Sequence, residues 1–352
     1  MLSRAMYISE YIQELYKRTG NDPALLERVI YAFGLLEAIK KVGLTFCFKG
    51  GSALLLMLEH PRRLSTDIDI IVEPGTDIDD YISKAGDIFP FIDAEEHIRI
   101  GQNNIEKRHF QFKYHSPHSG RDVVILLDVL FENIQYSAVA ERPIRNELLL
   151  TEGDDLTVTV PDANSILGDK LTAFAPHTTG IPFGVSKELE IVKQLFDCSS
   201  LFDVMNDYNA VRDSYNHIVK SEMEYRGLFL SPDEVLKDTI KGCLCVASRG
   251  QMYADEYSYF KDGIARIRNH ILGGKFSGEI AGVHASKVLF LASSMLVGCD
   301  SVTKISETSD YSGQRIKLPK PKSFSYLRIV DPIAYGYVAE AGELLQDTEY
   351  EK

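Results

Sequence analysis

The stretch from Phe46 to Val72, FCFKGGSALLLMLEHPRRLSTDIDIIV, constrains the fold of this chain more than any other. A short apolar run leads into a Gly-Gly-Ser step, an apolar helical pattern follows, and a strand-like IDIIV closes the stretch. This order of strand, helix and strand predicts a helix packed against a sheet. The Gly-Gly-Ser and the Asp-Ile-Asp at its two ends are where the stretch departs from ordinary core and looks like a phosphate site.

The step Gly50-Gly51-Ser52 has the composition of an anion-binding turn. A glycine pair lets backbone N–H groups approach a bound anion closely, and the start of a helix adds unpaired donors and a favourable dipole. By itself such a step is more often only a loop and a helix cap. Its position directly before an apolar helix, and within a strand-helix-strand unit, favours a functional interpretation.

Two aspartates, Asp67 and Asp69, lie two positions apart at the second turn. Strand alternation places both carboxylates on one face and directs Ile68 and Ile70 into the core. Neighbouring carboxylates repel each other unless a cation lies between them. A divalent metal that carries a nucleoside triphosphate explains the pair well, because Mg²⁺ prefers one or two protein carboxylates together with substrate phosphates.

A third acid, Asp128, stands in the β-branched run DVVILLDVLF over 122–131. Such a position predicts a cation or a strong hydrogen-bond donor nearby, although bonds to local backbone N–H groups are an alternative. The alternating run IEKRHFQFKYH over 105–115 and the turn residues before Asp122 predict that these two strands form a hairpin.

The composition is that of an ordinary globular chain: 352 residues, 45% hydrophobic and 25% charged, which is enough for two domains. The five cysteines are odd in number and lack the spacing of a metal site, which predicts reduced thiols in a cytoplasmic protein. We find no apolar run long enough to span a membrane and no signal-peptide pattern. A net charge of −13 argues against a protein that coats nucleic acid, yet a small basic patch remains possible.

The second half of the chain has mainly helical periodicity. We therefore predict an α+β fold, with a small mixed β-sheet core packed with helices over 1–160 and a mainly α-helical domain over 161–352. Predicted helices there include 208–225, 232–248, 253–271 and 284–297. A basic C-terminal segment, IKLPKPKSFSYLR, is interpreted as a surface strap, with a phosphate or nucleic-acid contact as the alternative.

The motifs taken together resemble a known family. A Gly-Ser, an Asp-x-Asp and a later third acid resemble the nucleotidyltransferase superfamily of DNA polymerase β type. KGGSALLL, RRLSTDIDI, LLDV, LGDKLTAF and VKQLFD are, more narrowly, similar to the AbiEii/AbiGii toxin family. The family's Arg-Asp-x-x-Asp appears here as Lys193-Gln194-Leu195-Phe196-Asp197, in which Gln194 replaces an acid.

This resemblance implies the chemistry of nucleotidyl transfer with two divalent metals, Mg²⁺ or Mn²⁺, and an NTP as substrate. Catalysis and metal binding are expected from the three carboxylates, and charge neutralisation from Lys170. Asp197 is also interpreted as a possible partner of Lys193 on one helix face. The residues that the resemblance assigns are, for catalysis, Asp67, Asp69, Asp128 and Lys170; for metal binding, Asp67, Asp69 and Asp128; and for nucleotide binding, Gly51, Ser52, Arg63, Lys170, Lys193 and Asp197.

The resemblance also implies a biological role, the toxin of a bacterial toxin–antitoxin or abortive-infection system with a cognate antitoxin protein as partner. The acceptor is expected to be a tRNA 3′ end or a protein hydroxyl. A non-catalytic member that binds nucleotide or a partner is the alternative. No P-loop or kinase motif is present in the sequence, which disfavours those classes. Ser65 resembles a position that is modified in some members, but we prefer its interpretation as a loop serine.

Overall fold

The chain, described here by a computed structural model over residues 1–97 and 107–350, has a mixed sheet that carries two of the predicted carboxylates, Asp69 and Asp128. The described residues form seven strands in the order β3-β4-β5-β2-β1-β7-β6. The strands are β1 Cys47–Lys49, β2 Ile68–Val72, β3 Asp93–Glu96, β4 Lys107–His115, β5 Asp122–Phe131, β6 Val139–Pro143 and β7 Thr157–Pro161.

The central strands fix the register of the site. Strand β2 is antiparallel to β1 and parallel to β5, and β5 forms the predicted antiparallel hairpin with β4. Side chains alternate along β5, so that Ile125, Leu127 and Val129 are buried while their neighbours are partly exposed. One face of the sheet is therefore core, and the other carries the polar residues. Residues 105–106 of the predicted β4 strand lie outside the described residues.

Helices pack on this sheet and make up the rest of the chain, as the sequence predicts. Helix α2 begins where Asp22 caps it, with Pro23 at its first position, and its Tyr31 stacks on Tyr114 of β4 with ring centroids 3.6 Å apart. The helices are α1 Ser9–Thr19, α2 Pro23–Lys41, α3 Gly50–Met57, α4 Asp79–Gly86, α5 Ala163–Ala173, α6 Glu188–Val204, α7 Tyr208–Arg226, α8 Pro232–Ala247, α9 Ala254–Ile267, α10 Gly278–Leu296, α11 Leu327–Val330 and α12 Pro332–Leu345. The α+β fold class is confirmed.

The chain divides into two compact units. The first comprises Met1–Asp162 together with Asn269–Gly274, and contains the sheet. The second comprises Ala163–Arg268 and Lys275–Lys352, and is helical. The sequence places the domain boundary between residues 160 and 161, whereas the two units meet in sequence at 162 and 163. The sequence does not reveal that Asn269–Gly274, which follow much of the second unit, belong to the first unit.

Three boundaries differ from the sequence prediction. Helix α9 ends at Ile267 and not at Ile271, because a short 3-10 turn follows and Ile271 pairs with another strand segment. Helix α10 starts at Gly278, earlier than predicted, because Ser277 caps it there. The basic C-terminal segment includes a 3-10 turn and helix α11, so only its first part is extended.

Two further expectations concern cysteines and membranes. All five cysteines are free thiols, and four of them, including Cys243 and Cys245, are buried as predicted for core packing. Over the part of the chain that the structure describes, no helix combines the length and apolar character needed to cross a bilayer.

Candidate active site

The turn between β1 and α3 depends on both of its glycines. Gly50 has a φ of +81°, and a Cβ atom there would lie 2.1 Å from Oδ2 of Asp69. A Cβ atom on Gly51 would lie 2.5 Å from Nη2 of Arg63 and 2.9 Å from Oγ of Ser65. Both glycines are therefore required because side chains that bear the chemistry approach the backbone closely.

Ser52 ties this turn to the carboxylate strand. Its hydroxyl is buried and donates a hydrogen bond of 2.6 Å to the backbone carbonyl of Asp67. Helix α3 begins at Gly50, so its first N–H groups lie at the same turn. The start of a helix with a nearby arginine is favourable for an anion such as a phosphate. The predicted phosphate site at Gly51 and Ser52 thus has a physical basis in this turn.

The carboxylates occupy neighbouring positions at one end of the sheet. Asp69 of β2 lies directly opposite Lys49 of β1 on one side and Asp128 of β5 on the other. Asp67 precedes the first residue of β2 and is exposed, whereas Asp69 and Asp128 are half-buried. Neighbouring strands in a sheet lie about 4.7–4.9 Å apart. Asp69 and Asp128 therefore form the carboxylate pair that the register fixes.

A histidine that the sequence reasoning missed contacts the third carboxylate. His109 of β4 lies opposite Asp128, and the two side chains are joined by a hydrogen bond of 2.7 Å between Nδ1 and Oδ1. This is the strong donor that Asp128 was expected to require. The only available signal was its polar position within the alternating pattern of the 107–115 strand, and the partner becomes known only from the hairpin register.

These carboxylates suit a divalent cation in their chemistry. In residues 1–97 and 107–350, no three His, Cys, Asp or Glu side chains form a group arranged to hold a metal ion. The donor types nevertheless fit Mg²⁺, since hard oxygen ligands are what it prefers, and it usually retains several waters beside one or two carboxylates. Within those residues, Asp128 uses only Oδ1 for its bond to His109, which leaves Oδ2 available for a ligand.

The thiol beside this site is not a nucleophile. Cys47 begins strand β1 and is fully buried. Burial raises the pKa of its thiol to about 11, and the nearby positive charge of Lys49 offsets this only in part. The thiol therefore stays protonated at neutral pH, which leaves the carboxylates and the glycine turn as the candidate groups of the site.

The second unit holds the remaining predicted residues. Lys170 of α5 has its Nζ 3.1 Å from Oδ2 of Asp197 and 3.0 Å from Oε1 of Gln194, both on α6. The two charged side chains are 9% and 1% exposed, so Lys170 is a buried lysine and not one on a solvated helix face. Gln194, although it replaces an acid, still accepts a hydrogen bond from Lys170. Lys193 has its Nζ 3.9 Å from Glu190.

The match to a family model agrees with the motifs. A family model described as "Nucleotidyl transferase AbiEii toxin, Type IV TA system" matches residues 35–265, a range that includes every predicted site residue. Among solved structures, JHP933 from Helicobacter pylori is similar at 14% identity and a TM-score of 0.41, with 74% of this chain and 89% of that chain covered. A candidate nucleotidyltransferase from H. pylori is similar at 13% identity and a TM-score of 0.44, with 76% and 96% covered. No curated protein matches this chain closely enough to serve as a relative.

Proposed function

We propose that this chain, which belongs to the AbiEii family of nucleotidyl transferase toxins, transfers a nucleotide from an NTP to an acceptor hydroxyl with divalent metal ions. The observation that carries the proposal is the register that places Asp69 beside Asp128 and, across the turn, against the backbone of Gly50. A carboxylate pair next to an anion-binding turn suits a metal-bound triphosphate.

Each group has a part in this chemistry. The backbone N–H groups at Gly51 and Ser52 and the guanidinium of Arg63 bind and orient the triphosphate, while the Ser52 hydroxyl holds the turn to the carbonyl of Asp67. The carboxylates of Asp67, Asp69 and Asp128 would hold Mg²⁺ or Mn²⁺, which when bound supplies charge stabilisation for the attacking and leaving oxygens. His109 holds Asp128 in one orientation through its 2.7 Å hydrogen bond. Rate enhancement in such sites comes mainly from positioning and electrostatics.

The biological part of the proposal is a toxin of a type IV toxin–antitoxin system that acts with a cognate antitoxin protein. Membership of the family supports this role. The acceptor we propose is a tRNA 3′ end, with a protein hydroxyl as the second possibility. The net charge of −13 favours an acceptor that needs only a small contact surface, such as the tip of a tRNA.

The deciding experiment incubates the protein with each α-³²P-labelled NTP, Mg²⁺ or Mn²⁺, and total tRNA. Asp67→Ala is compared with Asp77→Ala, which removes another exposed aspartate of the first unit, one that follows β2 in sequence. We expect label on RNA or on protein with the wild type and Asp77→Ala, and none with Asp67→Ala. Equal labelling by Asp67→Ala, or no labelling by the wild type under any condition, would contradict the enzymatic proposal.

A non-catalytic member that binds nucleotide is the alternative function. Both proposals predict NTP binding and only the enzyme predicts turnover, so equilibrium binding of each NTP with Mg²⁺ is measured beside the labelling assay. Saturable binding without any labelled product would favour the alternative. The presence of all three aspartates together with Gly51 and Ser52 favours the enzyme.

A further inference from the structure

Residues 269–274 belong to the sheet-bearing unit although they follow it by a long way in sequence. They pair with the segment that leads into the carboxylate strand. The N–H of Leu64 donates to the carbonyl of His270 at 2.7 Å, and the N–H of Leu272 donates to the carbonyl of Arg62 at 3.0 Å. These two bonds make a short antiparallel pair outside the seven-stranded sheet.

The side chain of Asn21 holds the start of the 269–274 segment. Nδ2 of Asn21 donates to the carbonyls of Asn269 at 3.0 Å and Ile271 at 2.9 Å. Asn269 lies in the 3-10 turn Arg268–His270 and Ile271 follows that turn, so this one amide holds the carbonyls on both sides of His270, whose own carbonyl accepts from Leu64. Asn21 is only 7% exposed, and its amide nitrogen must face the carbonyls because its oxygen would be repelled by them.

The strand pair determines where Arg63 lies. Arg63 is the bridge partner of Ile271, between the two hydrogen bonds, and is 6% exposed. Its Nη1 donates to the carbonyl of Leu64 at 3.1 Å, and its Nη2 lies 2.5 Å from the point where a Cβ of Gly51 would be. The backbone pairing thereby places a guanidinium against the anion-binding turn, with the hydroxyl of Ser65 beside it.

We propose that the 269–274 segment is a positioning strand for the phosphate-binding turn, and that Asn21 is a positioning residue that acts through it. The inference rests on the proposed nucleotidyl transfer. Residues 62–64 precede β2, so the sheet does not fix them, and the 269–274 segment supplies the pairing that the sheet does not provide. Asn21 touches neither carboxylate nor turn and affects them only through this strand.

The test uses the full chain with Asn21→Ala and the isosteric Asn21→Asp, which removes the donor. Asn146→Ala is the matched control, since Asn146 of the same unit makes a local bond to the N–H of Leu148 at 2.8 Å. We expect the KM for NTP to rise about fivefold in both Asn21 variants, because the loosened turn grips phosphate less well. Hydrogen exchange at the Leu64 amide should accelerate in the same variants. The control should show neither change.

A merely structural role predicts a different result. Loss of folded protein lowers the apparent kcat but leaves KM and the exchange of the Leu64 amide in the folded fraction unchanged, and this outcome would overturn the proposal. If the wild type transfers no nucleotide, the proposed function fails by itself. The exchange rate of Leu64 in Asn21→Ala then still decides: acceleration supports the positioning strand, and an unchanged rate refutes it.

Discussion

Gly50 is the residue whose backbone and surroundings exclude any side chain. Its φ of +81° is matched by the +80° of Gly75, but a Cβ on Gly50 would meet Asp69, whereas a Cβ on Gly75 would have no atom within 4 Å. Gly75→Ala should cost about 1 kcal/mol for the left-handed conformation alone. Gly50→Ala should cost more and should lower transfer at least about tenfold, because Asp69 is displaced. Thermal melts and the labelling assay measure both effects; equal losses in the two variants would show that Asp69 tolerates the added methyl.

We expect His109 to affect the rate of catalysis, although it lies outside the sequence motifs that resemble the family. We expect His109→Ala to lower kcat by about 10- to 100-fold, as for residues that orient a metal ligand, and to raise the Mg²⁺ concentration needed for half-maximal rate. A matched pair lies on the same two strands, where His115 contacts Asp122 at 3.1 Å near the surface. His115→Ala should leave both kinetic quantities unchanged. Equal effects from the two histidines would remove the special role of His109.

The site residues were predictable from sequence to different extents. Asp67, Asp69 and Asp128 are recognisable because a carboxylate on an apolar strand requires a compensating partner. His109 was missed because its importance depends on cross-strand register, which residue type does not reveal. The close contact of Asn21 with residues 269 and 271 was equally hidden, since it joins positions that are remote in sequence. Local chemistry can be read from a motif, but contacts between distant segments require the fold.

The helices α5 and α6 are joined by a buried ion pair, and this allows a structural and a catalytic role of Lys170 to be separated. Lys170→Met should cost about 3–5 kcal/mol, because it leaves Asp197 buried without its cation. The double variant Lys170→Met with Asp197→Leu should recover most of that free energy of unfolding. If Lys170 also contacts the triphosphate, as we predict, nucleotide transfer will remain low in the double variant.

Urea unfolding measures the stability of the Lys170 and Asp197 variants, and the labelling assay measures their nucleotide transfer. The exposed i,i+4 pair of Lys84 and Asp80 is the control, and Lys84→Met should change neither stability nor activity measurably. Full recovery of transfer in the double variant would limit Lys170 and Asp197 to a structural role.

Helix α8 fixes the 176–184 loop through an aspartate whose protonation should affect stability. Oδ2 of Asp238 accepts hydrogen bonds from the N–H of His177 at 2.8 Å and the hydroxyl of Thr178 at 2.9 Å. Oδ1 is buried and has no partner among the described residues. Burial raises the pKa of the Asp238 carboxyl above its ordinary 3.8, and the hydrogen bonds oppose this only in part.

The raised pKa of Asp238 determines how the stability of the protein changes with pH. The folded protein holds the proton on Asp238 more tightly than the unfolded chain, so its contribution to the free energy of unfolding decreases as pH rises through the raised pKa. Asp238→Asn should remove this decrease and should be more stable than the wild type at neutral pH. Thermal midpoints across acidic to neutral pH test it, with the exposed Asp233→Asn of the same helix as control. Parallel curves for the wild type and Asp238→Asn would contradict the assignment.

Secondary structure was predictable where local signals and tertiary packing agree. Helix α8 has both a capping box at Ser231 and Pro232 at its first turn, and it begins where the sequence predicts. Strand β3, with the sequence DAEE, has no strand propensity and was missed, because its pairing with β4 alone defines it. Helix α9 was predicted too long because nothing in its pattern shows that Ile271 has a strand partner.

At the scale of the whole molecule, charge limits how an RNA acceptor can be bound. The net charge is −13, and the basic C-terminal segment uses part of its charge internally: Lys317 pairs with Glu343 at 2.6 Å and Arg328 donates to the carbonyl of Gln314. Ile316 and Leu318 of the segment are buried between exposed neighbours, as in a strap that packs on the second unit. This arrangement disfavours an extended basic surface that contacts many phosphates.

We therefore expect tRNA binding to depend weakly on salt. Each phosphate contact contributes a slope of about −0.7 to −0.9 in log K against log salt, so contact with about three phosphates gives a slope near −2 to −3. Affinity for total tRNA at several salt concentrations measures this slope, and the double variant of the exposed segment residues, Lys320→Gln with Lys322→Gln, should leave it unchanged. A slope of about −6, or its reduction in that variant, would instead make the C-terminal segment a nucleic-acid contact.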